Sequence, residues 1–244
     1  MRPSTNDHLE SKVTTWLQST NKAAFSIFCI LAAFCTYSCM YAFRKPFAVA
    51  TFEGEAFWGI DYKILLITAQ VLGYTLSKFI GIRVISEMKN NRRSIFILLL
   101  IVSAALALLG FALAPAPWGI LFLFLNGLPL GMVWGLVFSF LEGRQTTEVL
   151  GAGLSVSFIF SSGFVKTVGK VVMLSWGVSE DWMPFVTGSL FLLPLLGFVW
   201  LLDRIPEPSP EDVAMRTKRE PMSKNQRRQF LVDFGGGMFL LTLV

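Results

Sequence analysis

The sequence predicts an all-α membrane protein, and three observations carry this prediction. Hydrophobic residues make up 54% of the 244 residues and charged residues only 15%. The mean hydropathy is +0.60, and a soluble domain would expose too much of this apolar surface. The chain also contains six apolar segments of about 20 residues, the length that a helix needs to cross a hydrocarbon core about 30 Å thick. The predicted spans are Ala23 to Phe43, Ile64 to Ile82, Ile95 to Leu113, Trp118 to Leu141, Val149 to Val172 and Met183 to Leu202.

Residues 1–21 predict a polar cytoplasmic tail rather than a cleavable signal peptide. Asp7 and Glu10 interrupt the charged region that would have to run directly into an apolar core. All three cysteines of the chain lie in the first span, without the spacing of a metal site or a disulfide framework. We interpret them as packing residues and expect the first span to remain in the mature protein.

Two cationic sites lie in or beside the first two spans. Lys78 is inside the second span, and Arg44 with Lys45 closes the first. A Lys or Arg at the middle of a spanning helix costs about 2.5–3.5 kcal/mol on insertion scales, so such residues usually face a protein interior or a wet cavity. The sequence therefore predicts a pathway for something negatively charged.

The polar residues of the second span recur at steps of three and four, which places them on one face of a helix. They are Gln70, Tyr74, Ser77, Lys78 and Gly81. Two interpretations are open. The face lines a cavity, or it packs against another helix, where small residues permit close approach and Tyr and Gln form interhelical hydrogen bonds. The second interpretation does not account for Lys78.

The third to fifth spans add further candidates. The short turn between the third and fourth spans predicts antiparallel neighbours. In the fourth span, Asn126, Pro129 and Trp134 indicate a loosened helix, because proline removes a backbone donor; the alternative is that these residues only allow tight packing. In the fifth span, Lys166 lies on one face with Lys170. Lys166 either faces the same cavity or extends along the helix towards the membrane surface.

The spans define the domain organisation. Residues 22–202 form a six-helix transmembrane bundle, residues 203–229 a cytoplasmic loop, and residues 230–244 the truncated start of a seventh helix, since about 15 apolar residues are too few to span. We therefore interpret the chain as the N-terminal part of a longer protein. Most Lys and Arg residues flank the spans on the side of the tail and the long loop, which the positive-inside rule places in the cytoplasm. We expect a multi-pass protein of the bacterial inner membrane with a cytoplasmic N-terminus.

Enzyme chemistry has little support in the sequence. The single histidine, His8, lies in the tail, and no zinc-protease, nucleophile-elbow or P-loop pattern occurs. We expect no enzymatic activity, no cofactor and no metal site. The net charge of +5 comes without a basic helix or an aromatic stacking platform outside the spans, so we expect no nucleic-acid partner.

Three short motifs together resemble a known family. Tyr41 precedes Arg44-Lys45-Pro46-Phe47-Ala48, Ser77-Lys78-Phe79-Ile80 follows in the second span, and Gly131-Met132-Val133-Trp134 lies in the fourth. The order and spacing of these motifs are similar to those of the organophosphate:phosphate antiporters of the major facilitator superfamily, which include glycerol-3-phosphate and hexose-phosphate carriers. The resemblance extends over about residues 22–203.

The resemblance implies a fold and a site. The chain would be the six-helix N-terminal half of a twelve-helix major facilitator fold, with the missing C-terminal half and the lipid bilayer as partners and a small anionic solute bound between the halves. It implies that the phosphate-binding Arg falls on Arg44, that the cavity Lys falls on Lys78, and that the first helix continues past Arg44. Seven residues are candidates for substrate binding: Arg44, Lys78, Tyr41, Tyr74, Gln70, Trp134 and Lys166.

The sequence departs from the family pattern at several positions. Ser161 falls where the family has a His on the fifth helix, so a titratable group is absent there. Pro46 replaces the usual Asn, and Met88 stands where a base is expected in the loop after the second span. The coupling mechanism and the cargo can therefore differ from those of the family.

The leading hypothesis is secondary active transport of an organic anion, such as a phosphate ester, by alternating access. Three alternatives are open: a transporter-derived sensor for an anionic ligand, a carrier of the same superfamily for a non-phosphate solute, and a structural six-helix protein that ends at Val244.

Overall fold

A computed structural model describes residues 12–86, 88, 92–215, 225, 228–229 and 232–235. These residues form an all-α bundle, with one short hairpin as the exception. The α-helices are α1 (Lys12–Ser19), α2 (Lys22–Tyr41), α3 (Tyr62–Ser86), α4 (Arg93–Leu113), α5 (Gly119–Ser139), α6 (Thr147–Trp176), α7 (Met183–Asp203) and α8 (Pro210–Met215). A 3-10 helix, Pro46–Val49, follows α2, and the antiparallel strands β1 (Ala56–Phe57) and β2 (Ile60–Asp61) precede α3.

Six of these helices, α2 to α7, are long and apolar enough to cross a membrane. The prediction of an all-α, multi-pass membrane protein with six spans is confirmed. The structure lengthens the second and fifth spans beyond their predicted ends, because α3 and α6 continue for several residues past the apolar segments. The predicted seventh span lies outside the described residues except for 232–235, and the predicted tail is described only from residue 12, where α1 begins.

The bundle has two ends, named here by their features. The hairpin end carries β1 and β2, the turn between α4 and α5, and the loop between α6 and α7. The α8 end carries α1, α8 and the other connections. At the hairpin end, the Glu180 carboxylate accepts hydrogen bonds from the backbone N–H of Thr51 (2.9 Å) and of Phe52 (2.7 Å). This carboxylate therefore fastens the segment after α2 to the α6–α7 loop.

At the α8 end, backbone and side-chain hydrogen bonds tie the connecting segments together. The Thr14 hydroxyl donates to the Arg204 carbonyl at 3.1 Å, and the Arg144 guanidinium donates to the Pro206 carbonyl. Asp212 in α8 accepts from the Gln145 N–H at 3.0 Å. The described part of the loop after α7 is thus held against the bundle rather than extending from it.

Glycines bring α3 and α5 into backbone contact. A Cβ atom added at Gly73 would collide with the carbonyl oxygen of Phe124, and one added at Gly127 would collide with that of Gln70. Such small residues let two helices in a membrane approach closely. Helix packing therefore accounts for part of the polar face of α3, since Gln70, Ser77 and Gly81 are buried there.

The helices α2 and α6 pack through small and aromatic residues. Ser38 on α2 and Ser161 on α6, both buried, share a hydrogen bond of 2.6 Å between their hydroxyl groups. The ring of Tyr37 packs edge-on against Phe158, with the ring centroids 5.4 Å apart. Together with α3 and α5, this pair encloses the space described next.

Candidate functional site

The α-helix of the first span ends inside the bundle. The last helical residue of α2 is Tyr41, and residues 42–45 form a hydrogen-bonded turn before the 3-10 helix. The resemblance implied that the helix continues past Arg44, and this expectation is wrong: Arg44 lies in the turn, three residues after the helix ends. Irregular backbone of this kind is tolerated within membrane proteins only where it is buried in protein or lines a cavity, with its polar groups satisfied.

Two amide side chains satisfy the carbonyl groups of this turn. Gln70 Nε2 on α3 donates to the carbonyl oxygen of Arg44 at 3.1 Å, and Asn126 Nδ2 on α5 donates to that of Phe43 at 3.1 Å. Gln70 Nε2 also donates to Asn126 Oδ1 at 2.8 Å, which joins the two amides. The helix break is therefore held from both neighbouring helices.

Arg44 and Lys78 converge on the same aromatic ring. The guanidinium carbon of Arg44 lies 3.7 Å from the centroid of the Tyr74 ring, and Lys78 Nζ lies 4.9 Å from it. Both distances are within the range of about 6 Å in which a cation is attracted to the face of an aromatic ring. Two cations, one from the turn after α2 and one from α3, thus share one site.

Neither cation has an acidic partner in the described part of the chain. Both side chains lie over the Tyr74 ring, and Arg44 Nε is buried without a hydrogen-bond acceptor. A buried polar group without a partner is uncommon and costs free energy. The site is therefore short of negative charge and of acceptors, and an anion would supply both.

A cavity of about 960 Å³ contains this site. Five of the seven predicted binding residues line it: Tyr41, Arg44, Tyr74, Lys78 and Trp134. The remaining lining residues are Tyr37, Gly81, Ile85, Arg93, Gly131, Met132, Gly135, Glu142 and Phe158. Arg93 and Glu142 lie at the α8 end of the bundle, so the cavity extends from the helix break towards that end.

The other two predicted binding residues do not line the cavity. Gln70 is buried between α3 and α5, where both donors of its amide are occupied. Lys166 is exposed on α6. Gln70 thus holds the helix break, and Lys166 does not line the cavity.

Several lining residues were absent from the sequence prediction. Tyr37 lies one helical turn before Tyr41, and the two rings pack edge-on with centroids 5.3 Å apart. Spacing of i and i+4 on a helix would have indicated that Tyr37 shares the face of Tyr41. Phe158 and Glu142 carry no such signal, because their approach to the cavity depends on how α5 and α6 pack. Among the described residues, no group of three or more His, Cys, Asp and Glu side chains could hold a metal ion.

Ser161 occupies the position at which the resembled family carries a histidine. Its hydroxyl group is fully buried and bonded to that of Ser38, and it does not line the cavity. A serine hydroxyl does not titrate in the physiological range, so this position joins two helices instead of exchanging a proton.

Residues 46–244 match a protein family of unknown function, DUF5690. The chain belongs to DUF5690. No curated protein and no solved structure matches it. The part of the chain that matches DUF5690 includes Gln70, Tyr74, Lys78 and Trp134, whereas Tyr41 and Arg44 precede the matched range.

Proposed function

We propose that this protein is a secondary transporter that moves an organic anion, such as a phosphate ester, by alternating access. Its six helices would form the N-terminal half of a twelve-helix major facilitator fold, with the substrate bound between the halves. The observation that carries the proposal is the convergence of Arg44 and Lys78 on Tyr74, in a cavity between spanning helices and without an acidic partner among the described residues.

The energetics of the two cations favour an anionic substrate. Each cation costs free energy to hold within the membrane, and an opposite charge is the simplest compensation. The guanidinium of Arg44 can grip two oxygens of a phosphate or carboxylate, whereas the ammonium of Lys78 acts as a mobile point charge. Because the bound anion offsets the cost of burying both cations, the loaded carrier would reach occluded states more readily than the empty one.

The broken first span also supports a transport function. Secondary transporters commonly bind their substrates where a helix is interrupted near the interface of two repeats. Here the interruption presents Arg44 to the cavity, and Gln70 and Asn126 hold its carbonyl groups. The three motifs of the resembled organophosphate carriers fall on this same region, at residues 41–48, 77–80 and 131–134.

The proposal can be tested with the full-length protein in proteoliposomes loaded with an organic phosphate. We expect Lys78→Ala to reduce counterflow of labelled substrate at least about tenfold, because the protein loses one of the two cations proposed to contact the anion. Lys170→Ala is the matched control, because Lys170 is exposed on α6 outside the cavity lining. Native counterflow in Lys78→Ala would show that the site is assigned incorrectly.

A separate binding measurement distinguishes transport from sensing. If the native protein binds organic phosphates but shows no counterflow, the pocket belongs to a sensor rather than to a carrier. If it neither binds nor transports organic phosphates or carboxylates, the anion site itself is refuted.

A further inference from the structure

The cavity wall beyond the two cations is mostly aromatic and aliphatic. Tyr37, Tyr74, Trp134 and Phe158 supply rings from four different helices, and Met132 and Ile85 add aliphatic surface. The lining contains no Asn, Gln, Ser, Thr or Asp side chain in the described part of the chain. Its other charged groups, Arg93 and Glu142, lie towards the α8 end. The wall next to Arg44 and Lys78 is therefore suited to an apolar surface.

The rings of this wall are held in place by their neighbours. Trp134 stacks on Phe138 with centroids 5.0 Å apart and an interplanar angle of 6°. Tyr37 is packed edge-on between Tyr41 and Phe158. Rings that are already fixed lose little conformational freedom when a ligand packs on them, so their contacts contribute efficiently to affinity.

The cavity leaves room for a ligand larger than an inorganic anion. At about 960 Å³, it lies at the upper end of the range of about 300–1,000 Å³ that is typical of sites for drug-sized molecules. A phosphate or carboxylate group would occupy only the part beside Tyr74. The rest of the space faces the aromatic wall.

We infer that the anion bound by Arg44 and Lys78 carries a flat aromatic body, as in an aryl phosphate or an aryl carboxylate. This inference rests on the proposed anion site and specifies its substrate class. A polyhydroxylated body would lose hydrogen bonds to water on entering this part of the cavity, where the uncharged polar side-chain groups of the lining are the tyrosine hydroxyl groups and the Trp134 N–H. An aromatic body would instead stack on the fixed rings, with its acidic group beside the two cations.

The test compares three probes on the purified full-length protein in detergent: phenyl phosphate, glycerol phosphate and inorganic phosphate. Isothermal calorimetry should give a dissociation constant for phenyl phosphate about tenfold below those of the other two, the effect expected of one or two well-placed aromatic contacts. Equal constants for the three probes would overturn the aromatic inference and leave the anion site standing. Absence of binding by all three would overturn the anion site as well.

Variants of Trp134 locate the preference in the cavity. Trp134→Leu should remove most of the advantage of phenyl phosphate over inorganic phosphate, and Trp134→Phe should retain most of it. Trp118→Leu is the matched control, because Trp118 is exposed at the hairpin end, away from the cavity. An undiminished preference in Trp134→Leu would place the aromatic body elsewhere. If Trp134→Leu does not fold, the comparison of probes on the native protein still decides the question.

Discussion

The amide nitrogen of Gln70 donates a 3.1 Å hydrogen bond to the carbonyl oxygen of Arg44. Gln70 in the second span thus holds the main chain of Arg44, whose side chain is one of the two cations in the cavity. The same amide donates to Asn126 Oδ1, and Asn126 in turn donates to the carbonyl of Phe43. Polar residues in these spans therefore serve two purposes: some line the cavity, and others hold the backbone that shapes it.

Gln70→Leu should destabilise the protein by about 1–3 kcal/mol, because the carbonyl of Arg44 and the side chain of Asn126 would lose a buried partner. It should also weaken anion binding, since the guanidinium of Arg44 would no longer be held over the Tyr74 ring. Thermal unfolding in detergent and calorimetry with an organic phosphate measure the two effects. Thr68→Val is the control, because the Thr68 hydroxyl is exposed on the same helix and bonds only within it, to the Ile64 carbonyl. Native stability and affinity in Gln70→Leu would show that the turn after α2 keeps its conformation without the hydrogen bond from Gln70.

Gly127→Ala should lower stability by about 1–3 kcal/mol, the usual cost of overpacking a well-packed contact. The added Cβ would collide with the carbonyl oxygen of Gln70, so α3 and α5 would have to separate. Gly163→Ala is the matched control, since no atom lies within 4 Å of a Cβ placed there. That control should be neutral or stabilising by up to about 1 kcal/mol, because alanine favours a helix more than glycine does. Equal melting temperatures of the two variants would contradict the close contact.

Ser38→Ala and Ser161→Ala should each cost about 0.5–1.5 kcal/mol, since each removes the same buried hydrogen bond. The double variant should cost less than the sum of the two single changes, because no partner is then left unsatisfied. Chemical unfolding of the native protein, the two single variants and the double variant gives the free energies of this double-mutant cycle. Ser155→Ala, whose hydroxyl is exposed and bonds to the Gly151 carbonyl of its own helix, should have little effect. Strict additivity of the Ser38 and Ser161 changes would show that the two hydroxyl groups are not coupled.

Glu180 should make stability dependent on pH. Burial raises the pKa of its carboxyl group, but the hydrogen bonds from Thr51 and Phe52 outweigh burial, so the net pKa is lowered. A carboxylate with a lowered pKa in the folded state stabilises the protein above the ordinary glutamate pKa of about 4.3, and this stabilisation is lost as the pH falls through the folded value.

The melting temperature of Glu180→Gln should therefore be lower than that of the native protein at pH 7. The difference between the two melting temperatures should shrink as the pH is lowered below about 4. Because Glu180 is only partly buried, we expect the effect to be modest. Melting temperatures from pH 7 to pH 3 test this, with Glu53→Gln as a control on an exposed carboxylate in the connection between α2 and α3. A difference that stays constant across this range would indicate that the charge of Glu180 does not matter.

The sequence predicted the six spans well because each depends on a local property, the length and hydropathy of one segment. It also indicated Arg44, Lys78 and Tyr74, since charged and polar residues are conspicuous in apolar segments. It placed the end of the first span at Phe43, close to the observed end of α2 at Tyr41 and before Pro46. It could not predict how the turn is held, because the amides that hold it are 26 and 83 residues away along the chain. Gln70 and Lys166 do not line the cavity for a related reason: helical periodicity places a residue on a face, but tertiary packing decides what that face meets.

The turn after α2 also constrains the order in which the protein can be assembled. The groups that hold it, Gln70 and Tyr74 on α3 and Asn126 on α5, all come later in the chain. During synthesis Arg44 enters the membrane before any of them, with an unsatisfied carbonyl and an uncompensated charge. The first span therefore inserts in a provisional state, and the cavity takes its final shape only after α5 has arrived beside it.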